Sequence, residues 1–194
     1  MKDKLGVIHG RFQVLHNDHM KYLLAGKERC EHLIIGICNP EQDLTKYTSN
    51  NPHRSKKSSN PLTYFERMEC IKYSLIEAGV NQAEFDIVPF PINFPEKIFN
   101  YAPLNAKYYM TIYDKWGEEK LKMLQEDLKL DVEVLWRVSL ENKGISASDI
   151  RKNIQDGKEW KQYVPNFVYN YMVENQLDKK IKAFLDEEEK DKRG

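Results

Sequence analysis

Leu5-Gly6-Val7-Ile8-His9-Gly10-Arg11-Phe12-Gln13-Val14-Leu15-His16-Asn17-Asp18-His19 is the stretch that decides the fold. Its short apolar run ends at His9-Gly10 and reads as a buried strand. A helical pattern follows over 18–30, with Met20, Leu23, Leu24 and Lys27 at helical spacing. A second apolar run fills 33–38. Strand, helix and strand in that order form a βαβ unit, whose two strands must run parallel.

Outward from this unit, residues 39–61 are polar and contain Asn39-Pro40, Asn51-Pro52 and Asn60-Pro61. A loop of that length inside a compact domain is usually functional. Thr63, with Glu66 three residues later, is a capping-box signature for a helix to about 78, closed by Gly79. Residues 85–88, 108–113 and 132–136 read as further strands and 117–128 as a helix. The Pro-rich aromatic stretch 89–95 is irregular, with a short helix near 96–101. A helix begins at Ser146, and a terminal helix begins near Pro165. Strands alternating with helices predict an α/β fold: a mostly parallel sheet of about five strands, covered on both faces. One domain over 1–177 is expected, with 178–194 as a charged helix end or tail, solvated or frayed from Asp186 onward.

The chain has 194 residues, with 30 Lys+Arg balanced by 30 Asp+Glu. That length suits one α/β domain, and zero net charge argues against a coat for nucleic acid while leaving small anions open. No apolar run is long enough to cross a bilayer, and no signal-peptide pattern follows Met1. Cys30, Cys38 and Cys70 are far apart and odd in number, which reads as free thiols in a reducing cytoplasm.

Two segments carry chemistry. His16 and His19 are three apart at the start of the first helix, so both rings can face an anion drawn by the free N–H groups there, with Arg11 beside them. Alternatively one histidine caps the helix, or the pair holds zinc with Asp18, which would require further ligands. The second segment is Gly144-Ile145-Ser146-Ala147-Ser148-Asp149-Ile150-Arg151. Ser146 and Ser148 are helix-entry residues able to bind phosphate, with Arg151 a turn away; the alternative is an ordinary N-cap with a solvent arginine. Lys46, Arg54, Lys56 and Lys57 make the long loop basic, either closing over phosphates or simply solvated.

Together the two segments resemble the nucleotidyltransferase superfamily, with its GRFQP-x-H-x-G-H-like first loop and late I-S-x-[ST]-x-[IV]-R motif. Gly10-Arg11-Phe12-Gln13, His16, His19, and Ile145-Ser146-x-Ser148-x-Ile150-Arg151 match in order. Over roughly 5–175 the chain is most similar to archaeal-type nicotinamide/nicotinate mononucleotide adenylyltransferases. The resemblance implies a Rossmann-like sheet with C-terminal helices. It also implies an enzyme moving AMP from ATP to nicotinamide or nicotinate mononucleotide, giving NAD or its deamido form and pyrophosphate. Mg²⁺ would accompany ATP, held mainly by substrate and water.

By the same resemblance His16, His19 and Arg151 are the catalytic candidates, with His16 at the α-phosphate and His19 toward β/γ. Gly10, Arg11, Phe12, Gln13, Ser146 and Ser148 would bind nucleotide and phosphate. Substrate contacts are expected among Asn39, Arg54, Lys57 and Arg67. Phe94, Phe99 and Tyr101 would stack on a pyridine ring, and Trp116 would border adenine. Each of these aromatics has a packing alternative and Arg67 a surface or ion-paired one, while Trp136 and Trp160 read as packing residues. The family's Pro is Val14 here. Its Gly before the second His is Asp18, which adds a negative charge at the phosphate site or a ligand for a metal ion.

Two alternatives remain at this point. One is cytidylyl or adenylyl transfer to another phosphorylated metabolite such as phosphopantetheine. The other is a nucleotide-binding module without turnover. No nucleic-acid or membrane partner is expected from the charge balance and the short apolar runs, and a homo-oligomer is left open.

Overall fold

The computed structural model describes residues 1–41, 57–139 and 144–191. Five strands form one parallel sheet in the order β3-β2-β1-β4-β5: β1 (Asp3–Gly10), β2 (Cys30–Cys38), β3 (Phe85–Phe90), β4 (Lys107–Ile112) and β5 (Asp131–Arg137). β1 lies at the centre, pairing Val7 with Ile34 on one side and with Tyr108 on the other. All five strands stand where the sequence predicts them, each extended by one to three residues at an end.

Alternation along the strands sorts side chains onto two faces. Ile8, Leu33, Ile35, Ile37 and Tyr109 face one core, shared with α1 (Asn17–Arg29), α2 (Tyr64–Glu77), α4 (Ala147–Gln155), α5 (Asn166–Glu174) and α6 (Leu177–Asp191). Val7, Tyr108, Met110 and Ile112 face the other core, against Ile98 and Ala102 of the segment after β3 and Leu124 beyond α3 (Lys115–Lys122). This is the doubly wound α/β arrangement of the resemblance.

Local chemistry sets the helix ends. Thr63 and Glu66 form the predicted capping box at α2, their reciprocal bonds measuring 3.2 and 2.7 Å. Asp114 caps α3 by accepting from Gly117 N at 2.9 Å, so this helix starts two residues before the predicted one and closes in a wider turn over Met123–Asp127. The 96–101 helix is a 3₁₀ turn, Pro95–Asn100.

The C-terminal part is built from two helices. The helix near Pro165 ends at Glu174, and the chain turns at Gln176, whose φ is 55°. α6 then runs to Asp191, so residues 178–191 form a helix end, and the segment from Asp186 is helical to Asp191. Leu177 and Ile181 are buried a turn apart, Lys180 Nζ meets Glu66 Oε1 at 2.9 Å, and Gln155 Nε2 donates to Asp186 Oδ1 at 3.0 Å. Charge density hid an i, i+4 apolar stripe narrow enough to read as solvent-facing. No helix among the described residues is long and apolar enough to cross a membrane.

Ile181 is fully buried, so Ile181→Ala should lower the unfolding free energy by about 2–5 kcal/mol. Urea denaturation checks this. A loose tail would leave the midpoint unchanged.

Candidate active site

β1 is flanked by β2 and β4, and the chain leaves β1 and β4 toward opposite faces. That opens a crevice at the carboxyl ends of the strands. A cleft of about 600 Å³ occupies it, within the size range of small-molecule sites.

Its floor is the turn between β1 and α1. Phe12, with φ 52°, is buried and sets its ring edge-on to His19 at 5.1 Å. The Gln13–Val14 peptide is cis. Gln13 exchanges two hydrogen bonds with Leu62, Nε2 to O and N to Oε1, both 2.9 Å. Its amide therefore ties this turn to the residues before α2.

Two buried arginines fix the turn from either side. Arg67 donates from Nε to Thr63 O at 3.1 Å and from Nη1 to Arg11 O at 3.0 Å and Cys38 O at 2.7 Å. Its Nη2 donates to Asn39 O at 2.7 Å. Arg151 donates from Nη1 to Gln13 O and from Nη2 to Ser148 Oγ at 3.1 Å. Burial lowers both guanidinium pKa values to about 10, so both stay charged at neutral pH. Arg151 lines the cleft. Arg67 stands behind it, shaping the wall rather than bordering a ligand.

His16 caps α1, its Nδ1 accepting from His19 N at 3.4 Å, and the two rings stack with centroids 3.7 Å apart. Cap and cleft-facing pair therefore coexist. Ser146 caps α4 through a box with Asp149, accepting at 3.2 Å and donating its N–H at 2.8 Å. Arg151 is buried, against the solvent-arginine alternative. The N-termini of α1 and α4 thus point their free N–H groups and positive dipole ends at one cleft. Among the described residues no three His, Cys, Asp or Glu side chains come together as metal ligands, so the zinc alternative lacks its further ligands.

Asp18 also lines the cleft. Its Oδ1 pairs with Lys21 Nζ at 2.8 Å, and its Oδ2 lies against Gly144, where any Cβ would collide with it.

Gly10, Arg11, Phe12, Gln13, His16, His19, Asn39, Trp116, Ser146, Ser148 and Arg151 all border the cleft. Phe94, Phe99 and Tyr101 do not. Phe94 has Lys97 Nζ 4.9 Å over its ring, and Phe99 and Tyr101 are exposed. Arg54, Lys46 and Lys56 lie outside the described residues, as does the side chain of Lys57.

Sequence reasoning missed His9, Tyr113, Lys120 and Trp136, which also line the cleft. A bulge on β5 pairs Met110 with Val134 but Thr111 with Trp136. Leu135 and Trp136 consequently pack on the same side of the sheet, against strict alternation. Trp136 Nε1 then reaches the Tyr113 hydroxyl at 3.4 Å. His9 carried one signal, a polar residue closing an apolar run just before the glycine.

A family profile described as cytidylyltransferase-like matches residues 7–153. The chain is 43% identical to phosphonoformate cytidylyltransferase of Streptomyces viridochromogenes, over 92% of this chain and 95% of that protein. It is 27% identical to nicotinamide-nucleotide adenylyltransferase of Thermococcus sibiricus, over 97% and 93%. Among solved structures, a bifunctional NMN adenylyltransferase/ADP ribose pyrophosphatase from Francisella tularensis superposes with TM-score 0.62 at 18% identity. That match covers 93% of this chain but about half of the solved one, 53%, and it establishes the shared fold.

Two outcomes are expected. Arg67→Met leaves four carbonyls without a charged donor and should destabilise the protein by roughly 3–5 kcal/mol in urea unfolding. His9 titrates well below 6.5 because burial disfavours its charged form, with Lys120 adding repulsion. The unfolded chain therefore binds the proton first, and the stability His9 contributes above 6.5 is lost as pH falls below that value. His9→Phe should flatten that acid limb in a series of melting curves.

Proposed function

The chain belongs to the cytidylyltransferase-like family and is a nucleotidyltransferase, and from that premise we propose that it transfers CMP from CTP to a small phosphonate or phosphate acceptor, releasing pyrophosphate. The 43% identity to phosphonoformate cytidylyltransferase along nearly the whole of both chains carries this reading. The cleft supports a nucleotide triphosphate, because the N-termini of α1 and α4 with His16, His19 and Arg151 gather there.

In this reading an acceptor oxygen attacks the α-phosphorus in line. The new P–O bond forms as the bond to the bridging oxygen of the β-phosphate breaks, and pyrophosphate leaves with that electron pair. His16 and His19 at the start of α1 meet the α-phosphate and the β/γ side. Arg151, Ser148 and the free N–H groups of α4 neutralise the departing pyrophosphate, and Arg11 adds charge from the turn. No covalent intermediate is needed, since rate comes from alignment and preorganised charge. Mg²⁺ would neutralise phosphate oxygens. Asp18 and Asp114 line the cleft and no three carboxylate, His or Cys side chains converge among the described residues, which fits an ion held chiefly by phosphate and water.

A second reading, adenylyl transfer from ATP to nicotinamide mononucleotide, is favoured by the 27% identity to the Thermococcus sibiricus enzyme.

Mass spectrometry of products from CTP and ATP, each with phosphonoformate, phosphate monoesters and nicotinamide mononucleotide, separates the two. The expected product is a CMP-linked phosphonate or phosphate, and a dinucleotide formed only from ATP would overturn the leading reading. His16→Ala and Arg151→Ala should each lower kcat by about 10²–10³-fold, the cost of removing one preorganised transition-state donor. Unchanged rates in both would misplace the site.

A further inference from the structure

The cleft divides by chemistry. The cations and helix N-termini of α1 and α4 form its middle, where a triphosphate belongs. Tyr113, Trp116 and Trp136, at the ends of β4 and β5, give the flat surfaces a base needs. What remains is the wall at the ends of β1, β2 and β3, made by His9, Cys38, Asn39, Ile92 and Asn93. Among these five residues there is no lysine or arginine, and the cation that bears on His9 is Lys120, across the cleft.

His9 is the unusual member of that wall. It is 3% exposed, and among the described residues neither Nδ1 nor Nε2 has a hydrogen-bond partner. Buried polar groups are almost always bonded, and an orphan at a cleft wall calls for an explanation. Its ring is not loosely placed. It stacks on Phe90 with centroids 4.7 Å apart and planes 10° from parallel. Phe90 can lie there only because position 36 is glycine, where a Cβ would stand 2.7 Å from the Phe90 Cβ. Beside it, Asn93 Nδ2 donates to Asn39 Oδ1 at 3.1 Å, joining the two amides.

We propose that His9 reads the acceptor: one ring N–H donates to a non-attacking oxygen of the small oxyanion held against the β1–β2–β3 wall. The attacking oxygen must keep its lone pair for the α-phosphorus, so the oxygens free to accept are the others of that phosphonate or carboxylate. A neutral imidazole supplies one donor without a fixed charge that would hold the product. His9 is thus a specificity residue of the acceptor half. The assignment rests on the acceptor class proposed above.

Isothermal titration and steady-state kinetics on wild type, His9→Phe and His9→Asn test it, with CTP, phosphonoformate and nicotinamide mononucleotide as probes. His9→Phe should raise the KM and Kd for phosphonoformate about tenfold or more, the loss of one hydrogen bond to a charged group. The CTP constants should stay within about twofold, and the change in kcat should be smaller than that in KM. His9→Asn, which keeps an N–H donor, should recover part of the affinity. The Tm of His9→Phe should equal or exceed that of wild type, because no bond within the protein is lost.

Unchanged phosphonoformate constants in His9→Phe would overturn the proposal, as would CTP and acceptor constants rising together. If wild type uses nicotinamide mononucleotide and not phosphonoformate, the functional reading fails, and the same split measured with nicotinamide mononucleotide still decides the role of His9. Binding of neither acceptor by wild type overturns both.

Discussion

The Arg67 guanidinium gathers the carbonyls of Thr63, Arg11, Cys38 and Asn39, and so joins the start of α2, the turn after β1 and the end of β2. Those three pieces of chain meet where the sheet opens; Cys38 is the last residue of β2 in register with β3, and Asn39 and Arg11 lie past the strand ends. A planar, permanently charged donor with fixed geometry suits this task, whereas a lysine ammonium could not span the same acceptors. Arg151 repeats the device from the other side, taking Gln13 O and Ser148 Oγ. Between them the 10–16 turn is pinned, and the helix starts that follow it are pinned with it. A site that works by aligning phosphates needs this rigidity before it needs any reactive group.

The same constraint explains what was legible in the sequence. Periodicity located all five strands because each is apolar and bounded by polar or turn-forming residues. His16, His19, Ser146, Ser148 and Arg151 were legible because capping chemistry and anion binding demand the same residue types at the same helix ends. Other contributions depend on tertiary placement. Arg67 reads equally as a surface residue until its four carbonyl partners are known. Trp136 falls on the wrong face by alternation, and only the β5 bulge turns it. Phe94, Phe99 and Tyr101 sit in an irregular segment, where no period says which way a ring points.

Asp18, the departure from the family pattern, is absorbed by its surroundings. One carboxylate oxygen takes Lys21 and the other fills the space beside Gly144. A glycine at 144 and an aspartate at 18 are thus complementary shapes: a side chain at both positions would overlap. The negative charge is paired with a cation one turn along α1, so its effect on a bound triphosphate is less than that of an isolated carboxylate.

The two halves of the cleft obey different rules. The phosphate-binding members are tied to backbone geometry, His16 and Ser146 as caps and Arg151 as a buried guanidinium, so changing one of them disturbs the fold as well as the chemistry. The wall at the ends of β1–β3 is built from side chains whose loss would leave the sheet intact: an imidazole stacked on Phe90 and two linked amides. Acceptor specificity can therefore vary while the transfer chemistry stays fixed. A chain of this kind can share its nucleotide motifs with adenylyltransferases at 27% identity and yet be closer in sequence to a phosphonate cytidylyltransferase at 43%. On physical grounds the acceptor wall is the part whose residues carry that distinction.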